Sequence, residues 1–250
     1  MRTILSIALA AALCLGLLTR TGLAEPPKAP PVSNFAPAED LVALAKEFIK
    51  DFEGMLATEQ DFNEKKDLIK RNAHTLAVLA VALGLHDTPN ELKPAAPALV
   101  KAAQDLGKAM DYASAMAALA AVKSAADGKA KEGPELNWST KVASLGQLMK
   151  QVTTTDARLR RNLRRFDRLA AENAQSSALL AVIAQAAIAD THEVKDPADL
   201  PKWYQWCEDM REAAAGVNRA VKAKDPAAAD AAAKRLMQSC DECHAVFQTE

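Results

Sequence analysis

Residues 225–247 read DPAAADAAAKRLMQSCDECHAVF, and the reading of this stretch decides the fold. Asp225 is a helix N-cap, and Pro226 follows at the first helical position, where its missing N–H costs nothing. The alanines, Lys234, Arg235, Leu236 and Met237 behind them are strong helix formers. On such a helix, residues three and four apart share a face. Cys240, Cys243 and His244 therefore point at one object. Cys240-Asp241-Glu242-Cys243-His244 is the C-x-x-C-H pattern of covalent haem attachment. In that chemistry two thiols add across the haem vinyl groups, and the adjacent imidazole becomes an axial iron ligand.

Two rival uses of the motif fare worse. Structural zinc wants four Cys or His ligands. The other candidates, Cys207, His192, His86 and His74, are scattered without ligand spacing. A redox C-x-x-C belongs beside a βαβ pattern, and no β pattern is visible. The cofactor expected is one covalently bound haem c.

The other end of the chain agrees with this. Arg2 precedes an apolar run from Ile4 to Leu18, and Gly22-Leu23-Ala24 supplies small residues for signal-peptidase cleavage before Glu25. At about 15 residues the run falls short of the ~20 that a membrane helix needs. Residues 1–24 are therefore read as a signal peptide, the mature chain as lacking a membrane span, and the protein as periplasmic or secreted. Leu13 is a poor residue before a lipidated Cys14. Residues 25–37 carry Pro26, Pro27, Pro30, Pro31 and Pro37 and read as an extended linker.

Half of the residues are apolar, with only 4% aromatics and 9 glycines in 250 residues. Alanine-rich, glycine-poor sequence with a 3.6-residue period predicts an all-α fold. A formal net charge of −1 argues against a nucleic-acid partner. The stretch 127–137 is rich in Gly, Lys, Glu and Pro and divides the chain. The first half, 38–126, predicts helices over 38–57, 59–85, 94–110 and 112–126. The second, 138–250, predicts helices over 139–152, 157–189, 197–223 and 226–247. Asp196-Pro197 repeats the capping device of Asp225-Pro226. Asp156 is expected to cap a new helix after the β-branched run Thr153-Thr154-Thr155.

The halves resemble one another. Asn72-Ala73 matches Asn173-Ala174, Asp87-Thr88 matches Asp190-Thr191, and Asp111 and Asp225 each open a fourth helix. Where the second half has its thiols, the first reads Ser124-Ala125-Ala126-Asp127. The expectation is two tandem four-helix bundles, of which only the second binds haem.

A C-x-x-C-H on the last helix of a four-helix bundle resembles cytochrome c-prime and its relatives, the class II c-type cytochromes. Class I relatives place the motif near the N-terminus and use a distant downstream Met, whereas only six residues follow His244. The resemblance covers the second half well and the first half only as a degenerate copy. It implies that His244 is the proximal ligand and that Phe247, three residues on, packs by the haem. Gln248 stands where the family often carries a basic residue. The resemblance also implies that the first helix of the bundle faces the distal side of the iron. The apolar stripe there is Val142, Leu145, Met149 and Val152. Met149 is either a core gap-filler or a distal ligand. A ligating Met implies electron transfer, and an apolar distal wall implies five-coordinate iron open to NO or CO. Met210 and Met237 are expected beside the haem. A haem peroxidase needs a distal acid–base residue, and no His or Arg is read on the stripe holding Met149. Because family members often dimerise through their first two helices, the first half is expected to pack on the second as a pseudo-dimer within the chain.

The remaining candidates have plain readings. Cys207 lies on the stripe Trp203, Cys207, Met210, Ala214, Val217 and Val221 and reads as a buried small hydrophobe. The Arg158–Arg168 face, interleaved with Leu159, Leu163 and Phe166, reads as a solvated surface or as a docking patch for an acidic redox partner. His74 occupies the place of Gln175 and carries no second haem, and His86 and His192 fall in loops without evident partners.

Overall fold

The computed structural model describes residues 24–248. The expected signal peptide, including Cys14, lies almost wholly outside them. The described residues form eight α-helices and no strand. These are α1 (Ala38–Met55), α2 (Glu59–Leu85), α3 (Ala96–Lys108), α4 (Tyr112–Ala126), α5 (Leu145–Leu163), α6 (Ala170–Ala187), α7 (Leu200–Lys222) and α8 (Pro226–Phe247).

Local chemistry explains most boundaries. Thr58 caps α2 by accepting from the Asp61 N–H, and Asp111 and Ser114 form a reciprocal capping box on α4. Asp225 accepts from the Ala228 N–H at the start of α8. Asp196 does the same for a short 3-10 turn leading into α7. Gly128, at φ 72°, ends α4 in the left-handed conformation that glycine adopts without strain.

Helix α1 packs on α2 and α4, α2 on α3, and α3 on α4. Likewise α5 packs on α6 and α8, α6 on α7, and α7 on α8. Between the two sets the contacts are reciprocal: α1 lies on α6, α2 lies on α5, and α2 also meets α6. One continuous core runs through both sets, from Phe52, Leu76 and Leu79 to Leu180, Ile183 and Val217. Helix α2 is long and apolar enough to cross a membrane, yet 67% of that stretch is buried. Its second half, neighboured on several sides, is apolar almost all round.

Two sequence expectations are corrected here. The threonine run does not end a helix, because α5 continues through it to Leu163. Thr153 and Thr154 return their hydroxyls to the carbonyls of Met149 and Lys150, both at 3.1 Å. Thr155 is fully buried and accepts from Gln151 Nε2 at 2.9 Å. Burying Leu148, Val152, Thr155 and Leu159 on one face outweighs a β-branching penalty of a few tenths of a kcal/mol per residue. The break falls instead at 164–169, after the pairs Arg160/Arg164, Arg161/Arg165 and Arg164/Arg168 place like charges four residues apart. Secondly, residues 25–37 are not a free tether. Val32, Phe35 and Ala36 sit in the core, and Asp87 receives both the N–H and the hydroxyl of Ser33.

Candidate functional site: a thiol-edged cleft between α5, α7 and α8

The buried stripe of α8 runs Ala229, Ala232, Ala233, Leu236 and Ser239. Cys240 and Cys243 continue it as half-buried residues. Near the start of α8 the helices approach closely: a Cβ on Gly216 of α7 would come within 3.3 Å of Ala232. At the other end a cleft of about 280 Å³ opens. Cys240, Cys243 and His244 line it from α8, together with Met237 and Asp241. Trp203, Trp206, Cys207 and Met210 line it from α7, and Ala184 and Ala187 from α6. Met149, Val152, Thr153, Asp156, Ala157 and Arg160 line it from α5. The motif residues and Met149 are thus brought to one cavity, as are Met210 and Met237. Val142 stands outside, because α5 begins at Leu145.

The walls are held by specific contacts. Trp203 Nε1 donates to the Ala187 carbonyl at 3.2 Å, tying α7 to the end of α6. Phe247 is not a cleft-lining residue; it packs edge-on to Trp203 at 5.2 Å and to Trp206 at 5.6 Å, behind the wall those rings form. It braces the end of α8 against α7. The start of α5 is held by Asp190, which is buried, accepts from the Leu145 N–H at 3.2 Å, and pairs with Lys141 at 2.7 Å and His192 at 2.7 Å. Burial by itself would raise the Asp190 pKa; the hydrogen bonds and charges of Lys141 and His192 outweigh it and hold the carboxyl below its ordinary range. Asp87 plays the matching part after α2, at the segment leading into α1.

The electrostatics of the cleft favour intact thiols. Burial, then the charges of Asp156 and Asp241, push Cys240 up to about 11. Burial, then Cys240, pushes Cys243 up to about 11. Cys207 is buried on the expected stripe, and burial likewise raises its thiol far above the ordinary value. All three are free thiols and remain protonated at neutral pH.

Sequence reasoning missed three polar or aromatic members of the site. Trp206 was not singled out. Asp156 and Arg160, paired at 2.8 Å, reach the cleft seven and eleven residues after Met149. The expectation of no Arg on the stripe holding Met149 is therefore wrong, and its cause is the helix break misplaced at the threonines. Read straight through, Met149, Thr153, Asp156 and Arg160 fall on one helical face. Arg160 also points Nη1 at the Met237 sulfur, 3.7 Å away. Burial, partly opposed by Arg160, raises the Asp156 pKa.

Comparison with protein-family models, curated proteins and solved structures returned no match.

The other three histidines fall elsewhere. His86 is buried, with Nε2 on the Ala36 carbonyl at 2.9 Å and Nδ1 accepting from the Thr88 N–H. His192 pairs with Asp190 and Glu193, and His74 Nδ1 accepts from the Ser144 N–H at 3.3 Å. Among the described residues no three His, Cys, Asp or Glu side chains converge as a metal-binding set. That arrangement suits a bare ion, whereas a haem iron asks the protein for one or two ligands.

Proposed function

We propose that this chain is an exported c-type cytochrome of class II type, holding one covalent haem and carrying single electrons. The observation that carries the reading is the convergence of Cys240, Cys243 and His244 on one edge of a largely apolar cleft walled by Met149, Val152, two tryptophans and Met210. The donor set fits the group: two thiols three residues apart for thioethers, an adjacent imidazole, and Met149 as a candidate second axial ligand. Arg160 is the one guanidinium among the lining residues, and its charged partner there is Asp156, at 2.8 Å. Bound there, haem supplies an Fe(II)/Fe(III) couple whose potential follows ligand identity and burial.

The chain's own residues do the rest. The apolar walls exclude water and lower the local dielectric around the couple. Trp203, anchored on Ala187 and braced by Phe247, keeps α7 and α8 in register. Asp190 fixes where α5 begins, and hence where Met149 stands. Periplasmic location follows from the leader reading and from the site of haem c attachment in bacteria. The Arg158–Arg168 face serves an acidic redox partner chiefly through Arg164, Arg165 and Arg168, which are exposed. Arg158 and Arg160 are turned toward Glu47 and Asp156.

The two sets of helices read as tandem four-helix bundles, the first without haem. Support comes from the reciprocal contacts of α1 with α6 and α2 with α5, the pattern of an isologous interface. The first bundle then occupies the place of a second subunit.

A second reading, a gas-binding haem protein, is favoured by one observation. Beside Met149, α5 presents Val152, Thr153 and Ala157 to the cleft, together with Asp156, whose carboxylate is engaged by Arg160. If the Met149 sulfur does not ligate, that wall leaves iron open to NO or CO. The deciding test of both readings is haem staining on a denaturing gel, with Cys240→Ser/Cys243→Ser as control. A pyridine haemochrome and a reduced spectrum with and without CO complete it. Absence of covalent haem from the exported wild type refutes the proposal. Immediate CO binding by high-spin iron moves the second reading ahead of the first.

A further inference from the structure

Where α2 passes the end of α3 and the start of α5, an open groove of about 560 Å³ carries a different chemistry from the cleft. Lys66, Lys70 and His74 line it from α2, and Lys108 and Met110 line it from the end of α3. Asp67 is its one carboxylate. Lys70 and Lys108 are exposed, and Lys66 and His74 are half-buried, so none of the four is sealed from solvent. Lys66 gives an N–H to the Met110 carbonyl at 2.8 Å. His74 Nδ1 accepts from the Ser144 N–H, so the proton of the neutral ring sits on Nε2, beside Gly107. Burial, then the charges of Lys70 and Lys108, hold the His74 pKa below its ordinary value. Among the described residues Lys66, Lys70 and Lys108 make no ion pair. Other lysines of the same helices do: Lys65 pairs with Asp61, and Lys101 with Asp105.

Lys66, Lys70 and His74 stand four residues apart in succession, on one face of α2. Like charges at that spacing work against a helix, and Asp67 and Asp111 offset only part of the excess. An anion from outside the chain offsets the rest. Four helical residues rise about 6 Å, and side chains on one face of an extended chain recur about every 6.6 Å. Carboxylates on alternate residues of an extended segment therefore keep step with the Lys66 and Lys70 ammoniums and the His74 N–H, while Lys108 faces them from α3. A compact anion answers one such interval and leaves the others unmet. Met110, 75% exposed, offers apolar contact to a residue beside the carboxylates. We propose that this groove docks an extended acidic segment of a partner protein, with its carboxylates on alternate residues. The site is independent of the haem reading.

The test is fluorescence anisotropy of labelled probes titrated with the full chain, as purified, at low ionic strength, where exposed charges are least screened. The probes are a blocked peptide alternating Glu and Ala, its isomer with the Glu and Ala residues in separate blocks, and a single-stranded oligothymidine. The alternating peptide is expected to bind at least about threefold more tightly than the block isomer, because only its carboxylates match the spacing on α2. Lys70→Gln/Lys108→Gln is expected to weaken the alternating peptide about fivefold or more, the scale of two ion pairs at the edge of solvent. Lys28→Gln/Lys131→Gln, which removes the same charge from exposed residues outside the groove, is expected to leave binding unchanged. All four exchanges are at exposed positions, so both variants keep the fold. No binding of the alternating peptide, equal affinity for the two peptides, tighter binding of the oligothymidine, or an equal loss in both variants overturns the proposal, as does undiminished binding by the Lys70/Lys108 variant.

Discussion

The thiols of the cleft offer a quantitative check on how the site is built. In chain produced without covalent haem, Cys240 and Cys243 are both held up to about 11. At pH 8 an ordinary thiol of pKa near 9 is roughly 9% thiolate, and one at 11 roughly 0.1%, about a hundredfold fewer reactive species. A more basic thiolate is more nucleophilic, which recovers about tenfold of that with a disulfide reagent. The native thiols should therefore react about tenfold more slowly than the same thiols in urea, before any loss of access is counted. Asp156→Asn separates the causes. Its charge contributes to the rise of Cys240 but not to that of Cys243, which follows burial and Cys240 itself. The variant should speed Cys240 severalfold relative to Cys243. The assay is reaction with an aromatic disulfide reagent, followed by absorbance and assigned to each cysteine by mass spectrometry of peptides. Native thiols reacting as fast as unfolded ones would refute the reasoning about burial. Equal acceleration of both thiols in the variant would refute the placement of Asp156 beside Cys240.

The other expectations bear on ligation, assembly and pH. His244→Ala should retain covalent haem but shift the Soret band and abolish reversible cycling near the native potential, measured by voltammetry; an unchanged spectrum means another residue ligates. Met149→Leu should speed CO binding in stopped-flow and move iron toward high spin, while no change in rate reduces Met149 to a wall residue. Residues 138–250 expressed alone should dimerise or melt lower, because the faces of α5 and α6 that meet α1 and α2 lose their cover. A monomer with the full chain's melting temperature counters that. Asp190 is held below its ordinary pKa, so its stabilisation is present above the unfolded value of about 3.9 and is lost as pH falls through the folded value. Asp190→Asn should lower the urea midpoint at pH 7 and flatten its decline as the pH falls below the unfolded value. An identical decline in the variant and wild type argues against this linkage.

What the sequence determined by itself was local. The caps Thr58, Asp111 and Asp225 each bond a backbone N–H three residues away, so the all-α class and most helix ends were legible from spacing. The shared face of Cys240, Cys243 and His244 is likewise a property of one helix. The break after residue 152 was misread because threonine's β-branching is a weak local bias. It was overruled by the burial of Leu148, Val152, Thr155 and Leu159 among helices far away in sequence. That non-local packing alone carried Asp156 and Arg160 into the cleft with the thiols, and set Phe247 behind Trp203 and Trp206 rather than in the cleft. It also drew Phe35 into the core and brought Lys66, Lys70 and His74 to one groove with Lys108. Partners of this kind are fixed by the close-packing of helices distant along the chain, and no single helix's sequence encodes which neighbour its second face will meet.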